Sequence, residues 1–316
     1  MRVVDHIKDN SKTLFSFELL PPLKGKDIRD VFNNIEPLIE FDPQYINITV
    51  HREEVDYKTL ESGLIEPKVI RKRPGTIAMA GAIKNKYGID VVPHIVCGGF
   101  TKSETEYALI DLNFLDIHNL LVLRGDPLKN QKYFEQTIGG HSHAIDLIHQ
   151  INDLNNGKYL DDIKNSTPLN FSYGVAGYPE KHMEAPNMES DIYWLKQKVD
   201  AGASYVVTQM FFDNQKYYEF VQLAREAGIN VPIIPGITPI RNKRQINVLP
   251  QVFHISLPEE LARELRKCKD NNEAYELGVE WATFQSKDLI KNNVPIIHYY
   301  TMGNSDNIKR ICKASF

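Results

Sequence analysis

Several things are scarce or missing from this sequence, and each absence excludes a class. Cysteine is rare: Cys97, Cys268 and Cys312 are odd in number and far apart, which fits neither a disulfide framework nor a zinc spacing and points to a reducing compartment. No apolar run approaches the ~18 residues that a membrane span needs, and the opening MRVVDHIKDNSK holds no apolar core of signal-peptide length. Charge of one sign is missing too, since 37 Lys plus Arg face 41 Asp plus Glu for a net −4. No nucleic-acid or membrane footprint is therefore expected. The expected location is the cytoplasm, where Asn47-Ile48-Thr49, Asn165-Ser166-Thr167 and Asn170-Phe171-Ser172 carry no meaning as glycosylation signals.

Familiar site motifs are absent as well. There is no G-x-G-x-x-G and no P-loop, no nucleophile elbow and no H-E-x-x-H helix. His141-x-His143 lacks a carboxylate or Cys at ligand spacing and His94-x-x-Cys97 lacks a second pair, so no metal site is expected.

What is present is the composition of a folded globule, 42% hydrophobic and 25% charged over 316 residues. Eight β-rich runs recur: LFSFELLPP from position 14, QYINITV from 44, DVVPHIVCGG from 90, NLLVLRGD from 119, NFSYGVAGYPE from 170, SYVVTQMFFD from 204, VPIIPGITP from 231 and VPIIHYYTMG from 294. Between them, residues 28–40, 104–115, 144–154, 192–201 and 217–227 carry helical periodicity, with Gly202 and Gly228 as stops. Eight β-then-α units predict an α/β protein, a (β/α)8 TIM barrel. An open doubly wound sheet would offer a Gly-rich turn after its first strand, where this chain has Leu-Leu-Pro-Pro. Residues 245–293 leave room for extra helices before the last strand, including 260–269 and 273–290, and the expected unit is one domain over 1–316.

In such barrels, polar residues at strand C-terminal ends make the site. Alternation in Phe15-Ser16-Phe17-Glu18-Leu19 sends the phenylalanines outward and Glu18 inward among apolar neighbours. Glu18 is then either a proton donor of raised pKa or a structural carboxylate. His94 points inward as a core histidine or a ligand. By parity Arg124 and Asp126 share the face of Val122, and both either line the mouth or close a turn before Pro127. Strand six carries Gln209 among aromatics, either stacking on a bound ring or buried for structure, and Arg241, Lys243 and Arg244 follow strand seven as a basic loop. Polar groups on several strand ends without a metal suit proton or hydride chemistry on an organic ring.

Taken in order, FSFELLPP, PHIVCGG, LRGDP, GVAGYPEKH, KVDAGASYVVTQMFFD and IIPGITPI resemble the 5,10-methylenetetrahydrofolate reductase family over nearly the whole chain. The resemblance implies FAD as cofactor, methylenetetrahydrofolate and NAD(P)H as substrates, ping-pong turnover and a homo-oligomer. It implies Glu18 as general acid and Asp126 as the aspartate beside flavin and pterin, touching cofactor and substrate alike. Thr49, His94, Arg124, Gly125, Ala144, Tyr178, His182, Asp191 and Lys198 match FAD-contacting positions, and Gln209 and Gln245 match substrate-contacting ones.

Several positions depart from the family pattern. Val50-His51-Arg52 replaces a smaller segment, Leu249 a stacking Phe, Trp194 and Gln197 an Asn and an Arg, and Asn304 an Arg that meets the folate tail. The 241–244 loop is expected to substitute for that arginine. The chain ends near the barrel's close, which implies a form without the C-terminal regulatory domain. Two rival readings stand beside this one, a pterin-binding methyltransferase barrel without flavin and a folate-binding barrel without turnover.

Overall fold

The computed structural model describes residues 1–8, 12–128 and 131–316. The chain opens with α1 (Val3–Lys8), β1 (Leu14–Leu19), α2 (Ile28–Ile39) and β2 (Tyr45–Ile48). A hairpin of β3 (Glu54–Thr59) and β4 (Ile65–Ile70) follows, then α3 (Thr76–Tyr87), β5 (Asp90–Val96), α4 (Lys102–Phe114) and β6 (Asn119–Leu123). Next come α5 (Ala144–Asn155), β7 (Ser172–Gly177), α6 (Met188–Asp200), β8 (Tyr205–Thr208) and α7 (Asn214–Glu226). The last part holds β9 (Ile233–Ile234), β10 (Gly236–Ile237), α8 (Gln245–Phe253), α9 (Glu259–Lys267), α10 (Asn271–Lys291), β11 (Ile296–Tyr300) and α11 (Asp306–Ser315).

The main sheet runs β10-β11-β1-β2-β5-β6-β7-β8-β9, every neighbouring pair parallel. Only Pro235, which has no N–H for a ladder, separates β9 from β10, so nine pieces make eight staves and the ring closes. All eight staves fall on the eight β-rich runs, and α9 and α10 match the helices expected at 260–269 and 273–290, with α8 a third in the same stretch. Helix starts are fixed locally. Asp27 with Asp30, and Thr101 with Glu104, form capping boxes, while Asn187, Asp213 and Asp270 cap α6, α7 and α10. Gly202 (φ 118°) and Gly228 (φ 77°) end α6 and α7 in the left-handed region that favours glycine.

Two apolar layers share the strands between them. Phe15, Phe17, Ile46, Ile48 and Val122 face outward against Val31, Ile35, Leu38, Leu109 and Leu147 of the helices. Leu14, Tyr45, Val92, Leu121, Tyr205, Ile234 and Ile296 fill the barrel, with Val3 of α1 packed among them. Each large side chain buried this way stabilises the fold by about 1.5–3 kcal/mol. Gly174 is required here, because a Cβ would stand 2.3 Å from the Tyr205 ring.

Two expectations change. Val122 lies in the outer layer and Leu121 and Leu123 in the inner one, so the face of Val122 is not the mouth. Strand pairing ends at Leu123, and the loop rather than parity aims Arg124 and Asp126. The hairpin of β3 and β4 was also unforeseen. It is exposed on nearly every residue, so no buried-strand pattern marks it, although Gly63 (φ 81°) between two β-rich runs is a hairpin signal.

Candidate active site

Two groups of titratable side chains meet at the C-terminal rim of the barrel. The first is nearly free of counter-charge. Glu18, at the end of β1, lies among the barrel staves with its side chain 15% exposed. Burial raises its pKa to about 8, so the carboxyl stays protonated at neutral pH. Its Oε2 is 3.4 Å from Nε2 of His94 on β5. That imidazole is pushed down to about 3, by burial first and by His51 second, and is neutral. Nδ2 of Asn47, wholly buried on β2, lies 3.3 Å from the same Nε2. Beneath them, Ser16 Oγ is 2.9 Å from Nδ1 of the buried His298, whose ring stacks on Tyr45. Thr49, beside this corner, lies 3.4 Å from the His51 Nε2.

The second group is rich in charge. Arg124 donates to Glu184 at 2.6 Å and lies over the Phe134 ring. Tyr178 and His182 meet edge to face, with centroids 4.7 Å apart. The backbone N–H of His182 donates to Asp191 at 2.8 Å. Lys198 reaches inward from α6 to the Ala176 carbonyl at 3.3 Å. Burial lowers its pKa to about 8 against the opposing pull of Asp191. Among the described residues this ammonium makes no ion pair. Asp126, exposed at the rim, acts electrostatically on Tyr178 and on Arg52. Arg52 lies across Gly98 and Gly99 and donates to the Asp126 carbonyl at 2.6 Å. Gly125 takes φ 87°, which favours a residue without Cβ. Ala144 opens α5, where first-turn N–H groups lack helical partners.

Tyr300 joins the two groups, because its buried hydroxyl senses both Glu18 and Tyr178 while donating to the Thr208 carbonyl at 2.6 Å. The fold thus gathers Glu18, Thr49 and His94 at one corner and Arg124, Asp126, Tyr178, His182, Asp191 and Lys198 at another. The two substrate-position glutamines are occupied by local bonds. Gln209 accepts from the Met210 N–H at 2.9 Å, and Gln245 accepts from Arg241 and Asn242 N–H groups. Trp194 is exposed and Leu249 buried. Arg241 donates to the Met302 carbonyl at 2.9 Å, which puts it beside the Asn304 loop, while Lys243 is spent on the Cys268 carbonyl.

Sequence reasoning missed Asn47, Tyr300 and Glu184, and named Arg52 only as part of a segment departing from the family pattern. Alternation from Tyr45 would have sent Asn47 inward, but nothing local couples Glu184 to Arg124, sixty residues earlier. A cleft of about 480 Å³ lies between α4 and α5, and another of about 430 Å³ lies at the C-terminal end of β1, between Leu19, Pro22, α2, Arg73 and Gly303. Among the described residues no helix is long and apolar enough to cross a membrane.

Known proteins resemble this chain throughout. The family model described as methylenetetrahydrofolate reductase matches residues 2–315. A methylenetetrahydrofolate reductase (NADH) 1 of Arabidopsis thaliana is 32% identical over 96% of this chain and 48% of its own length. A probable methylenetetrahydrofolate reductase (NADPH) of Caenorhabditis elegans is 29% identical over 98% and 43%. The chain thus spans about half the length of these relatives. The 5,10-methylenetetrahydrofolate reductase of Escherichia coli is 28% identical over 94% of this chain and 88% of its own. Among solved structures, an uncharacterised Clostridium thermocellum protein that binds two copies of 5-methyl-5,6,7,8-tetrahydrofolic acid superposes with a TM-score of 0.60. It is 16% identical over 99% and 98% of the two chains, and it supports the barrel fold.

Proposed function

The chain belongs to the methylenetetrahydrofolate reductase family, and from that premise we propose that it reduces 5,10-methylenetetrahydrofolate to 5-methyltetrahydrofolate in the cytoplasm, with NAD(P)H as donor, FAD as cofactor and ping-pong turnover. The observation that carries the proposal is a carboxyl buried at a barrel strand end beside a neutral imidazole, with no cation paired to it among the described residues, where burial raises its pKa to about 8. A group of that kind is suited to give a proton to a ring nitrogen near pH 7.

The second corner suits a diphosphate-bearing cofactor. Lys198 is a buried ammonium without an ion-pair partner among the described residues, and an anion at the site would supply the missing charge. Arg124 and His182 add donors beside it, and the N-terminal turn of α5 offers further N–H groups. FAD held there would carry hydride from the nicotinamide to the folate. The chain's own residues do the rest. Lys198 and Arg124 bind the diphosphate. Thr49, Gly125, Ala144, Tyr178, His182 and Asp191 orient the cofactor, and Asp126 faces both it and the pterin. Glu18 gives its proton to the folate nitrogen, so that the five-membered ring opens to an iminium that can accept hydride. Gln209 and Gln245 hold the folate through amide hydrogens, while their oxygens stay on the backbone.

The test is an anaerobic stopped-flow trace of flavin absorption on purified protein, with a nicotinamide added first and methylenetetrahydrofolate second. Bleaching followed by recovery is the expected result. Recovery of chemically reduced protein without bleaching by either nicotinamide would replace the donor with a protein partner. A flavin that the folate never reoxidises would overturn the substrate, and a colourless protein would favour the methyltransferase reading.

A further inference from the structure

The contacts of His94 pose a problem of proton placement. Its Nε2 is 3.3 Å from Asn47 Nδ2 and 3.4 Å from Glu18 Oε2. A neutral imidazole nitrogen carries either one lone pair or one proton. If Nε2 held a proton it could donate to the Glu18 carboxylate and stabilise the ionised form. If Nε2 holds the lone pair, an N–H of Asn47 can donate into it and the ionised form of Glu18 gains no donor.

The amide orientation decides between the two. Asn47 is fully buried, and its amide nitrogen is the atom that faces the imidazole, 3.3 Å from Nε2. An amide N–H can only donate. Asn47 therefore donates, Nε2 accepts, and the His94 proton sits on Nδ1.

We propose that Asn47 is a positioning residue for Glu18, locking His94 in the tautomer that cannot donate to the carboxylate and so keeping the acid protonated. The role in turnover rests on the reading of Glu18 as the acid, while the lock itself does not. The titratable neighbours are few. Glu18 faces His94 from β5 and Tyr300 from β11, and His94 in turn faces His51 and His298. Among the described residues no Lys or Arg forms an ion pair with Glu18, so the imidazole N–H is the donor that matters.

Two spectroscopic measurements on the full chain test the lock. Long-range ¹H–¹⁵N spectra of protein labelled in histidine, with His94 assigned by its loss in His94→Gln, report the tautomer. The infrared C=O band of a protonated buried carboxyl, assigned by Glu18→Gln, reports the Glu18 titration. The expected result is a wild-type His94 with its proton on Nδ1 at neutral pH. In Asn47→Leu the proton moves to Nε2 and Glu18 titrates lower by about one pH unit or more, a tenfold change in proton affinity. A wild-type proton on Nε2 overturns the proposal, whether or not Asn47→Leu folds. An unchanged carboxyl titration in a folded Asn47→Leu overturns it too. Neither readout needs turnover, so both expected signatures in a protein that fails to reduce the folate would uphold the lock and sink the proposed function instead.

Discussion

The acid corner and the cationic corner of the mouth are buried by the same barrel, and burial moves their groups in opposite directions. Glu18 rises to about 8 and Lys198 falls to about 8, because desolvation penalises whichever form carries charge. Their neighbours set them apart. Glu18 has around it a neutral imidazole, an amide and a phenol, none of which rewards ionisation. Lys198 has Asp191 within electrostatic reach, while the Glu184 carboxylate is held by Arg124. One corner is therefore built to hold a proton and the other to receive an anion.

The sharpest way to break this comparison is Glu18→Gln. It is expected to keep FAD and its reduction by nicotinamide and to lose folate reduction by at least ~10²-fold. Near-normal folate turnover in stopped flow would remove Glu18 from the role and leave the corner a structural one.

Lys198→Met strikes the other side. Losing a charge-assisted contact should weaken FAD binding ~10–100-fold, measured by fluorescence titration of the apoprotein. The melting temperature without FAD should not fall, since an unpaired buried ammonium is removed. A fall would mean that Lys198 is held for structure.

Stability against pH compares the two corners directly. The Glu18 pKa is raised on folding, so its stabilising contribution is complete below about 4.5 and is lost as pH rises toward 8. The Lys198 pKa is lowered, so its contribution is complete above about 10.5 and is lost as pH falls through 8. Thermal melts should show Glu18→Gln gaining on wild type between pH 5 and 8, by at most on the order of a few kcal/mol. A constant difference would place Glu18 in an ordinary, solvated environment.

The smallest effect concerns the basic loop. Arg241→Ala is expected to raise the folate KM about fivefold, roughly 1 kcal/mol, with kcat unchanged, as befits a partly exposed charge meeting an anionic tail. An unchanged KM would end the idea that this loop replaces the arginine missing at Asn304.

Much of the fold was legible along the chain. The eight staves, the capped helices and the inward turn of Glu18 all follow from local alternation, Gly stops and polar caps, whose reach is a few residues. The hairpin at Glu54–Ile70 was not legible by that route, because it lies outside the core and leaves no buried face in the pattern. Val122 misled for a related reason. Alternation holds only while pairing lasts, and pairing stops one residue before Arg124.

Sequence by itself determined the family, the barrel and the residue types at the rim, since periodicity and ordered motifs are written within short windows. Tertiary structure alone decided which of those residues are neighbours. Glu18 is 76 positions from His94, and Arg124 is 60 from Glu184. A pKa is set by what surrounds a group in space and by how far water is excluded from it. The order of residues along a chain contains neither until the staves have closed.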